Sequence, residues 1–353
     1  MLKLTHKHDE VEQFLTAYSS PARKLLFIGT LGFNGVGNYF PGVLASYENV
    51  DFKFFLEKRA SVPALVKSAG EENQRDLELR LAPHDIEFAT VEVVAEDGAT
   101  VAGRHAAQTT MSWLTRGSYS DVFVDVTSMS RGICFSVVKQ VVEFCHSKNI
   151  EPHILVAERD SDSIRVTPIS SDTACYMHGF NGVMETDMTH DSLVMWIPQL
   201  SENAKNSLAV IYEAVNPQEV CPALPFPSSV PRRADDLLLK FRENFANWAA
   251  PLHETIYAHE SDPLDVCATI SRIHLARKSV LGHSSDTAVQ TVLSPTGWRI
   301  GSIGMLLASL EHSLPVIYTE NIGYTIDEGA QISVSRSSIP ANRWHIWMRP
   351  SSQ

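Results

Sequence analysis

Residues 121–158 constrain the fold more than any other stretch of this chain. Asp121-Val-Phe-Val-Asp-Val126 is a short apolar run, and Thr127-Ser-Met-Ser-Arg-Gly132 carries turn-forming residues. Ile133–Ser147 then places Val137, Val138, Val141, Val142 and Cys145 at helical spacing, and Pro152–Glu158 (PHILVAE) is apolar again. Strand, helix and strand in that succession form the crossover unit of a parallel sheet. The strands are apolar throughout instead of alternating, as strands covered on both faces are.

The rest of the chain extends this pattern. Lys24-Leu-Leu-Phe-Ile-Gly29 reads as a buried strand, followed by the glycine-rich loop Gly29-Thr-Leu-Gly-Phe-Asn-Gly-Val-Gly37. Residues 53–82 read as helix with a polar middle, Ile86–Val94 as strand and Gln108–Arg116 as helix. Residues 161–234 are rich in Ser, Asp and Pro and read as an irregular connector; Pro222–Arg233 is too proline-dense for a regular helix. A second α/β stretch follows: helix Asp235–Trp248, strand His253–His259, helix Asp262–Leu281, strand Thr287–Leu293, turn Ser294–Gly301, helix Ile303–Leu310 and strand Leu314–Thr319. Ser261 or Asp262 would cap the helix that Pro263 opens. The predicted architecture is α/β, with Rossmann-like parallel-sheet lobes in tandem. Residues 1–160 form the first lobe, 161–234 the connector and 235–353 the second lobe.

Composition narrows the function classes. The chain of 353 residues is 44% hydrophobic and 20% charged, enough apolar content for large packed cores and too much for a disordered chain. Its 41 acidic against 29 basic residues argue against a broad polyanion-binding face, though not against a local basic pocket. Five scattered cysteines without a C-x-x-C pair point to a reducing cytoplasm and to neither a disulfide framework nor a zinc ribbon. His6 and His8 fall in an N-terminal segment read as mobile, and no H-E-x-x-H pattern occurs, so no metal or cofactor is expected. The N-terminus lacks the apolar core of a secretory signal, and no apolar run is long enough for a membrane span.

In an open parallel sheet the ligand crevice lies at the carboxyl ends of the strands, where helix N-termini favour phosphate. Asp125, Thr127, Ser128 and Arg131 fall at such a place, offering a carboxylate, hydroxyls and a guanidinium that suit a nucleotide. The same residues suit plain turn closure, with Ser128 or Ser130 capping the helix and Asp125 accepting from a neighbouring amide. Ser294, Thr296 and Arg299 repeat the layout in the second lobe without the aspartate. The glycine loop matches neither G-x-G-x-x-G nor a P-loop.

A strand ending in Gly29-Thr30, with a later strand ending in Asp125-x-Thr127-Ser128 and Arg131-Gly132 opening a helix, resembles the CRISPR-associated Rossmann-fold (CARF) sensor domains over residues 24–158. The departure is Met129 and Ser130, where that family usually has glycines. The resemblance implies a cyclic oligoadenylate ligand, with Thr30 in the first ligand loop and Thr127, Ser128 and Arg131 at phosphate or ribose. It also implies a role in prokaryotic antiviral defence. The leading expectation is thus a nucleotide-binding sensor or accessory subunit.

The alternatives are a nucleotide-directed hydrolase or nuclease, and a non-catalytic scaffold docking a protein partner through residues 222–236; self-association is compatible with each. For catalysis, Arg277 and His283 have the R-x5-H spacing of HEPN ribonucleases, although basic residues ending a helix serve its dipole more commonly. Asp125 stands where haloacid-dehalogenase-like phosphatases place a nucleophile, but Thr127 occupies the position of their second aspartate. Glu260 and Glu320 are lone carboxylates just past strands. No complete catalytic set emerges.

Overall fold

The structure, a computed structural model, describes residues 2–18, 20, 22–96, 98–158, 166–181, 193–251, 254–281, 289–326 and 339–350. The chain divides into two compact units. Unit 1 is Met1–Ile169 with Asn321–Gln353, and unit 2 is Ser170–Glu320.

In chain order the elements are β1 (Leu2–Lys7), α1 (Asp9–Tyr18), β2 (Leu25–Leu31), α2 (Tyr39–Leu44), β3 (Val50–Lys58), α3 (Ala64–Arg80), β4 (Ile86–Glu92), α4 (Ala102–Arg116), β5 (Asp121–Asp125), α5 (Arg131–Lys148), β6 (Glu151–Glu158) and β7 (Val166–Tyr176). Then come β8 (Leu193–Pro198), α6 (Lys205–Val215), β9 (Glu219–Val220), β10 (Ala223–Pro225), α7 (Arg233–Lys240), α8 (Arg242–Asn247), β11 (Ile256–Ala258), α9 (Pro263–Leu281), β12 (Val289–Ser294), α10 (Arg299–His312), β13 (Ile317–Ile326) and β14 (Asn342–Arg349).

Unit 1 carries a seven-stranded sheet in the order β4-β3-β2-β5-β6-β14-β1. The first five strands are parallel, and β14 and β1 are added antiparallel. Alternate residues of each parallel strand face opposite layers. Leu25, Phe27, Phe52, Phe54, Phe123 and Leu155 pack with Val11 and Leu15 of α1, Phe40 and Leu44 of α2 and Leu77 of α3. On the other face Phe55 lies against Trp113 of α4, with ring centroids 4.8 Å apart.

Unit 2 repeats the topology. β12, β8 and β9 are parallel neighbours, and β10 pairs in parallel with β11. Parallel bridges Gln199–Ala223 and Leu293–Val316 extend the run, giving the order β11, β10, β8, β12 and the start of β13. Trp196, Leu208, Ile211, Leu237, Phe241, Phe245 and Trp248 fill one side of it. Each unit thus has the strand order 3-2-1-4-5, within the Rossmann-like α/β class that the sequence predicted.

The boundaries differ from the sequence reading. The second lobe starts within the stretch read as connector, because Leu-Val-Met-Trp-Ile-Pro (193–198) is its central strand. The surrounding Ser, Asp and Pro residues masked that apolar run. The last strand, β14, belongs to unit 1, between β6 and β1. Residues 53–58 are strand, continuing β3, and the helix begins only at Ala64. His6 lies in edge strand β1, paired with β14, rather than in a mobile end.

That edge buries polar groups. His345 and His153 are fully buried, and His153 Nε2 faces Asp121 Oδ1 at 3.3 Å. Burial penalises the Asp121 charge, but hydrogen bonds from His153, Ser120 and Tyr18 outweigh it and hold the carboxyl at about 2. Burial lowers the affinity of His6, His153 and His345 for protons, His345 most of all, with His153 and His6 beside it adding repulsion.

The linkage has a definite sign. An unfolded histidine takes up its proton near pH 6.5, so below that pH the unfolded chain binds more protons than the folded one. The stability these groups contribute is complete above pH 6.5 and is lost as the pH falls below it. Asp121 adds a second loss between 3.8 and about 2. Urea unfolding followed by tryptophan fluorescence should give a midpoint that drops steadily from about pH 7.5 to about pH 5. A flat midpoint contradicts burial of neutral imidazoles.

Candidate functional site

In unit 1, β2 pairs with β3 as far as Leu31–Leu56 but with β5 only as far as Ile28–Val124. The carboxyl ends of β2 and β5 therefore part. β2 leads towards α2 and α3 on one face of the sheet, and β5 leads into α5 on the other, which makes this gap the topological switch point. Residues 32–38 and 126–130 bound it. They approach so closely that a Cβ at Gly37 would meet Ser128 Oγ and Cβ and force the Ser128 side chain to shift. The glycine loop is fixed rather than loose: Asn34 Oδ1 accepts from Val36 N (3.1 Å), and buried Asn73 donates to Gly32 O while accepting from Asn38 Nδ2 (2.9 Å each).

The candidate residues divide by what they touch. Asp125 is buried and accepts from Thr127 N (3.0 Å), and Thr127 Oγ1 accepts from Ala157 N of β6 (2.9 Å). Both bonds close the chain's own turn, the structural role that the sequence offered beside ligand contact. Ser130 stands at the N-cap of α5, yet its side chain makes no capping bond, and its buried Oγ has no hydrogen-bond partner. Thr30, 5% exposed, also has a buried Oγ1 without a partner. Ser128 and Arg131 are half-buried, Arg131 as the first residue of α5.

The helix opening is not vacant for an anion in the way the sequence suggested. Ser130 N donates to Glu57 Oε1 at 2.8 Å. Glu57 is ion-paired with Arg59, whose guanidinium also reaches Asn321 O and lies 5.2 Å from the centre of the Tyr324 ring. The Arg59 side chain is 3% exposed. Sequence reasoning missed Glu57 and Arg59 because it ran a helix through residues 53–82, whereas Asn73 does lie on a helix, α3, and only the tertiary packing brings it to the glycine loop. The apolar run Phe52-Lys-Phe-Phe-Leu56 was the feature that would have placed Glu57 and Arg59 at a strand end.

Unit 2 resolves the equivalent point differently. β8 and β12 pair to their last residues, Pro198–Ser294, and the gap is filled by fully buried Gln199. Gln199 Nε2 donates to Trp298 O (3.0 Å), and its Oε1 accepts from Gly297 N and Ser302 Oγ (3.1 Å each). Ser294 Oγ accepts from Trp196 Nε1 (2.8 Å), and Thr296 Oγ1 donates to Gln199 O (2.6 Å). Ser294 and Thr296 thus bond within the fold, and Arg299 is half-buried at the first turn of α10.

The residues of the catalytic alternatives that the structure describes have partners within the chain. Buried Arg277 binds Glu219 and the carbonyls of Leu193 and Gln290, tying α9 to β8, β9 and β12. His283 lies outside the described residues. Glu260 accepts from Ser228, Ser229 and Arg233, and buried Glu320 accepts from Tyr318 (2.9 Å). Among the described residues no helix is long and apolar enough to cross a membrane.

No family model matches this chain, and no curated protein matches it. Similar solved structures include a protein of unknown function from Pseudomonas aeruginosa PAO1, with 9% identity, 84% of this chain and 92% of that one covered and a TM-score of 0.24. A protein described as a universal stress protein from Pseudomonas aeruginosa UCBPP-PA14 has 9% identity, the same coverage and a TM-score of 0.22. The cytoplasmic domain of a prokaryotic cation chloride cotransporter has 10% identity, coverage of 85% and 98%, and a TM-score of 0.23. Likenesses this slight carry no functional argument.

If Gln199 is the plug of unit 2, Gln199→Ala removes the acceptor shared by Gly297 N and Ser302 Oγ and empties the space the side chain fills, while Ser302 still donates to the Trp298 carbonyl. It should lower stability by about 3 kcal/mol in chemical denaturation. A loss within 0.5 kcal/mol would show that water replaces the amide at little cost.

Proposed function

We propose that unit 1 is a nucleotide-binding sensor lobe whose ligand sits in the gap between the carboxyl ends of β2 and β5. The observation that carries this reading is the pair of buried hydroxyls, Thr30 Oγ1 and Ser130 Oγ, that the chain itself leaves unpartnered at the two edges of the gap. A buried hydroxyl without a partner costs roughly 1–3 kcal/mol, a cost that a ligand's phosphate or ribose oxygens would remove.

The surroundings suit such a ligand. Gly32 and Gly37 let backbone come close, Ser128 borders the gap, and Arg131 stands at the opening of α5 to clasp phosphate with two parallel bonds. The CARF-like reading names the ligand class as cyclic oligoadenylate and the setting as antiviral defence. In it Thr30, Ser128 and Arg131 keep the roles that the resemblance implies, while Asp125 and Thr127 support the turn. Cytoplasmic location and self-association belong to the same proposal.

Thr30→Val separates ligand binding from folding. Removing an unpaired hydroxyl should leave the free protein as stable as before, or stabler by about 1 kcal/mol. It should also abolish the heat of binding in calorimetry against cyclic and linear oligoadenylates and mononucleotides. Arg131→Ala should weaken binding by about tenfold or more, the loss of one charge-assisted contact of 1.5–3 kcal/mol. Silence of the unaltered protein across that panel removes the proposal. Chromatography after incubation with NAD, nucleoside triphosphates and RNA should show no products; turnover would favour the hydrolase or nuclease reading.

A further inference from the structure

Three imidazoles stand in single file across the β1-β14-β6-β5 edge of unit 1. His6 Nδ1 lies 2.9 Å from His345 Nδ1, His345 Nε2 lies 2.9 Å from His153 Nδ1, and His153 Nε2 faces Asp121 Oδ1. His6 is half-buried at the outer strand, whereas His345, His153 and Asp121 are fully buried. Phe14 of α1 stacks on His6 and His345 at 4.4 and 4.3 Å, and Phe123 stacks on His153 at 4.2 Å, so the rings are held in these orientations.

The ionised carboxylate sets the direction of every bond. Asp121 only accepts, so His153 carries its proton on Nε2. A neutral His153 then accepts at Nδ1, which requires His345 to carry its proton on Nε2. A neutral His345 accepts at Nδ1, which requires His6 to carry its proton on Nδ1 and leaves the His6 Nε2 lone pair as the outer end. The reverse order would aim a His153 lone pair at the carboxylate.

We propose that His6, His345 and His153 form a proton file that takes one proton from solvent at His6 and delivers one to His153 beside Asp121. A proton from hydronium bonds to His6 Nε2, releasing water. The Nδ1 proton of His6 passes to His345 Nδ1, and the Nε2 proton of His345 passes to His153 Nδ1. The end state is neutral His6 with its proton on Nε2, neutral His345 with its proton on Nδ1, and an imidazolium at His153 paired with the Asp121 carboxylate. One proton enters, one positive charge is stored, and both outer tautomers invert. A second proton would charge two buried rings in contact, so the file stores one.

The charged and titratable neighbours are placed accordingly. On α1, Glu10 faces His6 and Tyr18 donates to Asp121 (2.7 Å). At the inner end, Ser120 and Arg23 also bond Asp121, and Glu151 of β6 faces His153. On β14, Arg349 pairs with Glu151, to which Trp347 also donates. Acids thus stand near both ends of the file, and Arg23 is the cation opposing charge at the inner one.

Two-bond 1H–15N correlation spectra of the full chain distinguish the tautomers directly. At neutral pH the file requires His6 with Nδ1–H, and His345 and His153 with Nε2–H. On acidification His153 should become the imidazolium while His6 and His345 invert. Any other neutral order, or three independent titrations without inversion, overturns the proposal. His6→Gln supplies the second arm: its amide still donates to His345 Nδ1 but cannot pass a proton. The variant should keep the fold and the neutral tautomers of His345 and His153 and slow the protonation exchange of the His153 ring about 100-fold. An unchanged exchange rate would mean that protons reach His153 by opening of the fold, which also overturns the proposal. None of these readouts depends on nucleotide binding.

Discussion

β2 and β5 pair in parallel over Leu25–Ile28 and Asp121–Val124 and then separate. The following segments must pack on opposite faces of one sheet, so the two chains cannot stay together beyond the last shared bond. The candidate site of unit 1 depends on that separation. It leaves Thr30 within β2, still paired to β3, but past the end of its pairing with β5. It also creates the space across which Gly37 and Ser128 approach each other.

Unit 2 meets the same topological constraint and removes the space. Its equivalent strands pair to the end, and a glutamine side chain satisfies the turn atoms that would otherwise face a cleft. A buried polar atom is tolerated when it is bonded and costly when it is not. Gln199 meets that condition within the chain, although Trp298 Nε1 beside it stays without a partner, and Thr30 and Ser130 leave theirs unmet. This difference, between two sheets of the same strand order, is what distinguishes a structural turn from a candidate binding site. It also separates the roles of neighbours such as Asp125, which closes a turn, and Ser130, which does not.

The opposite edge of unit 1 uses buried polarity in yet another way. An apolar replacement of three histidines and an aspartate would avoid their desolvation cost, and buried ionic groups are commonly no more stabilising than well-packed apolar ones. The imidazoles are instead linked nitrogen to nitrogen and clamped between aromatic rings, so beside an ionised Asp121 the three neutral rings share one order of donors and acceptors. A fully connected network of this kind specifies register: His6 lies opposite His345 in the antiparallel ladder, and a slip by one residue would turn every ring to the other face.

The sequence by itself determined the fold class, because apolar strands and amphipathic helices alternate wherever the chain is regular, and that alternation has few packed solutions. It located the β5–α5 turn and the residues in it, and it raised turn closure as the competing role for Asp125. It did not reveal that Leu193–Pro198 is a central strand, since six residues are outweighed by their Ser- and Pro-rich surroundings, nor that residues 342–349 return to the first sheet. Only the tertiary structure decided which hydroxyls are left unpaired, that Glu57 reaches the α5 opening from β3, and that His6, His345 and His153 meet although His6 and His345 lie 339 positions apart. Such outcomes depend on which atoms the sheet registers bring within about 3 Å of one another, and local periodicity carries no information about distances between strands remote in the chain.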